Sequence, residues 1–386
     1  MPRHAALLLC TALVAWSGTA SAETASCTRD WVKRDPSATL EACTSILRSA
    51  LADQEKADAL KIRARAALRL KRLDIAVPDL ELALNLAPKD PAAHIWRGWA
   101  HFEQGEYEEA LKRTSAARAL DPKDTDPHIL AASVAVRLGQ YGRASSIYAD
   151  AVGLQPSNVL IRYRYSKLLS HMQDYPAALV QLDALLALPR ADTTRSADLM
   201  IYSRSVTYRT AAQLLRASLL MDLARRDEAD GTFEQILNED PSSFTYAMRA
   251  AHRFKANETE AVIQADVDKA IELDPDYWLA REMQARIHFF ARRYAAAEAE
   301  YARAIELKPD YGKLRWWRAM ALRRIDRLDE ATDEALTAWA VDPGYVTSEK
   351  VEVLSQRGYL QLSRNRDANL SIADAIRACM LDEKCF

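Results

Sequence analysis

Eight prolines recur at nearly one fixed interval along this 386-residue chain. Pro88, Pro122 and Pro156 are 34 residues apart, Pro189 follows after 33, and Pro241, Pro275, Pro309 and Pro343 are again 34 apart. A period of that length points to helical hairpins stacked in series, none of which can bury its apolar face alone. The stretch from Pro189 to Pro241 holds 52 residues, one period plus an 18-residue insertion, so the register breaks once.

With each period numbered so that its proline is position 32, small residues recur at positions 8, 20 and 27. They are Ala64, Ala76 and Ala83 in 57–90, Gly98, Ala110 and Ala117 in 91–124, Ala132, Ala144 and Ala151 in 125–158, and Ala285, Ala297 and Ala304 in 278–311. Two antiparallel helices packed about 8–10 Å apart need short side chains where their backbones come closest. Larger groups (Leu80, Tyr148, Phe233, Tyr301) share position 24 and fill the space between. A turn near positions 14–17, such as Gln104-Gly105-Glu106-Tyr107, separates the two helices, and a proline stops the second. Each period therefore reads helix, turn, helix.

This pattern resembles the tetratricopeptide repeat, matched by units at 57–90, 91–124, 125–158, 159–191, 210–243, 244–277, 278–311 and 312–345. Departures are Ile263 at position 20, Leu185 at position 27, and alanine at most of the usual glycine positions. The resemblance implies an all-α, right-handed superhelical solenoid with capping helices at both ends. The expected organisation is a signal peptide at 1–22, an N-terminal capping hairpin within 23–56, repeats 1–4 at 57–189, an insertion at 190–209, repeats 5–8 at 210–345, and C-terminal capping helices at 346–386. The insertion reads as a loop whose Leu-Met-Ile-Tyr end extends the next helix, or as half a repeat.

Arg3 and His4 precede an uncharged run from Ala5 to Trp16, and Ala20-Ser21-Ala22 is a small-residue cleavage site. These features predict export, to a periplasm or out of the cell, with cleavage after Ala22. The apolar run is shorter than the roughly 20 residues that span a bilayer, so no transmembrane segment is expected in the mature chain. Without residues 1–22, four cysteines remain in two terminal pairs. Cys27 and Cys43 flank a turn at Asp35-Pro36-Ser37, and Cys379 and Cys385 can bridge where the last helix ends near Asp382. Three connectivities are formally possible; nearness in sequence favours Cys27–Cys43 and Cys379–Cys385.

Basic and acidic residues nearly balance over the whole chain, 52 against 54, which gives no support to bulk nucleic-acid binding. In the family that the pattern resembles, positions 2, 5, 6, 9, 12 and 13 face a concave groove. Here those positions carry twelve basic residues, five acids (Asp58, Glu103, Asp126, Asp222, Glu282) and many large aromatics. The candidate binding residues are Arg65, Arg69, Trp96, Trp99, Phe102, Arg137, Tyr163, Arg164, Lys167, Arg249, Arg286, Trp316 and Trp317. Guanidinium forks suit carboxylate or phosphate, and flat rings bury apolar side chains at low entropic cost. On this reading Trp99 is a ligand platform. His94, His101 and His288 fall at core-type positions and read as packed, neutral rings.

Catalytic motifs are missing: the sequence contains no H-E-x-x-H, G-x-S-x-G, G-x-x-x-x-G-K or G-x-G-x-x-G. Asp121, Asp124 and Asp126 lack the glycine and terminal glutamate of a calcium loop. Neither metal nor cofactor is expected. The expectation is a non-enzymatic scaffold that grips an extended, acidic peptide or protein segment. The alternatives are a structural subunit of an envelope assembly working through its convex face, and a receptor for an anionic glycan or small molecule.

Overall fold

The computed structural model describes residues 27–28, 32, 35–189, 200–201, 204–345 and 368–381. The proposed signal peptide, Cys385 and residues 346–367 lie outside that set. The chain divides into two compact units, 1–199 and 200–386. Each is an all-α solenoid of stacked helical hairpins.

In unit 1 a leading helix, α1 (Pro36–Ile46), packs on the first of four hairpins. These are α2–α3 (Asp53–Arg69, Leu73–Leu86), α4–α5 (Pro91–Gln104, Tyr107–Leu120), α6–α7 (Asp126–Arg137, Tyr141–Leu154) and α8–α9 (Val159–His171, Tyr175–Leu186). Unit 2 holds α10–α11 (Tyr208–Asp222, Arg226–Glu239), α12–α13 (Ser243–Lys255, Glu260–Leu273), α14–α15 (Trp278–Phe290, Tyr294–Leu307) and α16–α17 (Gly312–Arg323, Leu328–Val341). The closing helix α18 (Ala368–Leu381) packs on α17. Its Ala375, Ile376, Cys379 and Met380 share a core with Trp316, Ala319, Met320, Ala335 and Ala338.

Two backbone devices repeat. At the end of each first helix one residue takes the left-handed conformation: Lys71, Gly105, Gly139, Gln173, Ala224, Asn257, Arg292 and Asp326, with φ between 57° and 80°. The next amide then donates back to a carbonyl five residues earlier, as from Arg72 to Ala67, Glu106 to His101 and Arg327 to Leu322, closing the helix end. At the end of the second helix, Ala87, Asp121, Gln155, Asp240, Asp274, Lys308 and Asp342 each precede a proline. All are extended, with φ from −134° to −152° and ψ from 73° to 95°. The proline ring disfavours the helical region for the residue before it, so every such helix stops at the same place. Ala187 breaks the rule by staying helical, at φ −73° and ψ −16°, because Pro189 comes one residue later.

Between those stops the small residues do what steric reasoning requires. Ala64, Ala76, Ala83, Ala110, Ala117, Ala132, Ala144 and Ala151 have no exposed surface. A Cβ on Gly98 would come within 2.6 Å of a Leu130 methyl. Helix starts are capped by side chains: Asp35, Asp90, Asn158, Asp174, Thr207 and Ser242 each accept from an amide two or three residues on.

Two features differ from the sequence reading. The insertion does not extend the following helix: Met200–Ile201 pairs antiparallel with Arg204–Ser205, and Thr207 caps α10 so that it begins at Tyr208. Second, α12 starts one residue early. Its buried alanine is Ala250 rather than Ala251, and its left-handed residue is Asn257 rather than the next one. The turn to α13 is one residue longer and the loop before α12 one shorter, which leaves the proline spacing untouched.

Cys27 and Cys43 are joined, with Cα atoms 4.9 Å apart. Cys379 is also disulfide-bonded, to a cysteine outside the described residues.

Ala224 is exposed and left-handed at φ 58°. A left-handed residue with a Cβ costs about 1–2 kcal/mol, whereas glycine costs about 0.4–1 kcal/mol through the unfolded chain. Ala224→Gly is therefore expected to stabilise unit 2 by about 0.5–1 kcal/mol, seen as a higher urea midpoint; a lower midpoint would contradict this account of the turn.

Candidate functional site

The candidate residues fall on the first helices of the hairpins, and the structure sorts them into three groups. In unit 1 they form a chain of cation–ring contacts. The Arg65 guanidinium lies 4.8 Å from the centre of the Trp96 ring, and that of Arg137 lies 5.8 Å from the centre of Phe102. Trp99 meets Phe102 edge-on at 5.4 Å, and Phe102 meets Tyr107 at 5.8 Å. Arg137 is exposed and donates from Nε to the Tyr107 hydroxyl at 3.4 Å, which raises its pKa further. Farther along, Arg164 sits beside the buried Tyr148 hydroxyl, and Lys167 is exposed. Arg69 is half-buried, and burial lowers its pKa. Asp58, Lys61, Ile62, Arg65, Ala92 and Trp96 line an open cleft of about 310 Å³.

A second group belongs to the fold. Trp316 is 2 % exposed and sits in the core beneath α18, so it is a packing residue. Tyr163 is buried as well, at 8 % exposure. Arg249 is turned inward by the one-residue slip of α12. Its Nε and Nη2 hold Asp266, 2 % exposed, at 3.0 and 2.6 Å, and Nη1 reaches Glu234. Trp99 packs against the cores of three successive hairpins, so its indole supports the fold as well as the surface. Several groove lysines are matched by acids: Lys61 by Asp58 and Asp90, Lys255 by Asp222, and Lys313 by Glu282.

Arg249 and Asp266 exemplify a pattern the sequence reading missed. Position 23, on the second helix, carries a hydrogen-bond acceptor in six hairpins, and each time an arginine from the first helix reaches it. The pairs are Arg63–Asp79, Arg162–Gln181, Arg216–Thr232, Arg249–Asp266, Arg281–Glu300 and, with two arginines, Arg315 and Arg318 on Glu334. The signal was available: one polar residue recurring on an otherwise apolar helix face.

The third group lies in unit 2 and is aromatic. Phe290 is 58 % exposed and stands among Phe254, Phe289 and Trp317, with ring centres 5.1, 5.6 and 6.1 Å away. Arg286 covers the Phe254 face at 4.3 Å.

Family models described as Tetratricopeptide repeat match residues 67–134 and 129–194, and again 264–312 and 282–345, together more than half of the chain. The chain belongs to the tetratricopeptide repeat family. Its fold is that of protein-interaction scaffolds, which are generally non-enzymatic. Among solved structures it is similar to a tetratricopeptide repeat protein from Parabacteroides merdae, with 18 % identity over 69 % of this chain and 99 % of that one, TM-score 0.48. It is also similar to YrrB, described as having an unusual peptide-binding site, with 21 % identity over 52 % and 95 %, TM-score 0.37. A third is PilF from Pseudomonas aeruginosa, with 18 % identity over 60 % and 94 %, TM-score 0.40. No curated protein matches. Among the described residues no helix is long and apolar enough to cross a membrane, and no cluster of metal-ligating side chains occurs.

Most histidines of these repeats are packed parts, while His171 is exposed beside Tyr141. His101 is buried and its Nδ1 lies 2.6 Å from Glu106; His94 bonds the Pro88 carbonyl through Nε2 at 3.0 Å. Burial lowers the pKa of His128, His252 and His288, with Arg118, Lys255 and Arg293 respectively adding to the effect. A cation disfavoured in the folded state protonates first in the unfolded chain. Stability is thus complete above the unfolded value near 6.5 and falls as pH drops below it toward the depressed folded values. Melting is expected at a lower temperature near pH 5.5 than near pH 7.5, with His252→Gln reducing the difference; identical melting at both would refute this.

Proposed function

We propose that the chain is an exported scaffold whose first-helix face in unit 1 holds an extended, acidic segment of a partner protein. The observation that carries this reading is the exposed Arg137. Its charge is spread over Phe102 and tied to the Tyr107 hydroxyl, and no described carboxylate forms an ion pair with it. A guanidinium held beside rings and open to solvent is ready to receive a carboxylate fork. Arg65, two hairpins earlier, lies over Trp96 on the same helix that carries Phe102. The matched lysines confine the basic surface to fewer residues than the sequence count implied.

Export is supported by the basic, apolar and small-residue order of 1–22 and by the joined Cys27 and Cys43, which suit an oxidising compartment such as a periplasm. The fold and the charge balance favour protein over nucleic acid as partner.

Arg137 and Lys167 are both exposed, so Arg137→Glu with Lys167→Glu leaves the fold intact. The double variant is expected to bind a fluorescein-labelled, aspartate-rich peptide about tenfold or more weakly, and to show a shallower dependence of binding on salt. Unchanged affinity, or equal binding of a lysine-rich peptide by the unaltered chain, would refute the reading.

A further inference from the structure

The aromatic cluster of unit 2 spans three consecutive first helices, with Phe254 on α12, Phe289 and Phe290 on α14, and Trp317 on α16. Its base is fixed. Phe254 packs on a core of Ala250, Ile263, Val267, Met283 and Ile287, while Phe289 and Trp317 pack on the core beneath α18. Tyr294, at the start of α15, meets Phe289 at 5.4 Å. What stands proud is Phe290, the last residue of α14, an exposed ring on a rigid aromatic floor. A floor locked by packing offers a partner ring or branched side chain a contact with little ordering cost.

Arginines border the cluster, some matched by acids and some not. Arg293 is paired with Glu260, at 2.6 Å, and Lys255 with Asp222, at 2.5 Å. Arg286, Arg292 and Arg324 have no carboxylate partner among the described residues. Arg286 lies on the Phe254 face, Arg324 lies 5.9 Å from the centre of Tyr294, and Arg292, exposed and left-handed, follows Phe290 by two residues. Apolar rings bordered by arginines without counter-charges complement one chemistry: a large apolar side chain with carboxylates on either side.

We infer that the Phe254–Phe290–Trp317 cluster is a second interaction surface, the anchor site for a partner segment carrying an aromatic or large aliphatic residue flanked by acids. The inference rests on the reading that first-helix faces bind peptide, but it uses residues of unit 2 alone.

The test uses the full chain and three labelled hexapeptides that differ in one feature each: phenylalanine among aspartates, alanine among aspartates, and phenylalanine among lysines. The phenylalanine–aspartate peptide is expected to bind at least about tenfold more tightly than either control. Phe290→Ala should erase its margin over the alanine peptide and leave the alanine peptide's affinity unchanged. Because Phe290 is largely exposed, helical content should persist. Arg292→Glu, which touches no ring, should weaken the phenylalanine–aspartate peptide selectively, and Arg137→Glu should leave the margin intact. The inference is overturned if the margin is absent, survives Phe290→Ala, or appears equally with lysines. It is also overturned if the chain self-associates and Phe290→Ala abolishes that, which makes the occupant a second copy. Loss of binding in Arg137→Glu with no margin at Phe290 would leave the unit 1 reading standing and remove this one; no binding by any peptide removes both.

Discussion

Each hairpin carries a left-handed residue that turns the chain between its helices, and all but the fourth end at a pre-proline residue that stops the chain before the next hairpin. These two backbone stops set the rotation of every helix, and rotation decides which side chains meet the neighbouring helix and which meet solvent. The alanines then allow the close approach that the stops aim for. Where one stop moves, function moves with it. The extra residue before α13 advances Asn257 by one place, and a one-residue advance rotates a helix by about 100° per residue. That rotation takes Arg249 from an open face to Asp266.

The arginines therefore divide into two kinds by what they face. One kind reaches across its own hairpin to position 23, in places with two parallel hydrogen bonds to a nearly buried carboxylate, as Arg63 holds Asp79 at 2.7 and 2.6 Å. Breaking such a pair strands a desolvated charge and costs about 3 kcal/mol, far more than a surface ion pair at about 0–1 kcal/mol. The other kind lies over rings at the first-helix face: Arg65 on Trp96, Arg137 on Phe102, Arg286 on Phe254. Both kinds carry the same charge. Of the two, the second keeps its charge free of a described carboxylate partner at Arg137 and Arg286.

Proline spacing and the alanines made the hairpins legible, because both act locally and at fixed positions. Rotational detail was less legible. The slip of α12 hides between two prolines whose spacing stays at 34, and the trace it leaves is the exchange of Ala250 for Ala251 at the closest approach. Trp316 and Trp317 are neighbours at adjacent groove positions. Trp316 takes the position that is buried in every hairpin, as Ile95, Ile129 and Leu214 are, so the groove assignment of that position was wrong rather than the residue unusual; α18 then adds Ile376 and Met380 to the same core. The exposed ring of Phe290 was visible as a groove position; its floor, Phe254 from the preceding hairpin, required the slip to be known. The arginine partners of position 23 were missed because a groove count treats each first helix as a surface, without asking what its other side touches.

The division of the arginines is tested most directly by comparing Arg249→Ala with Arg137→Ala in denaturant unfolding, alongside the Asp266→Ala variants that complete a double-mutant cycle. The account predicts that Arg249→Ala destabilises unit 2 by about 3 kcal/mol with strong coupling to Asp266, whereas Arg137→Ala leaves the midpoint of unit 1 within about 0.5 kcal/mol of its original stability. Equal losses at the two sites, or additivity of Arg249 and Asp266, would contradict it.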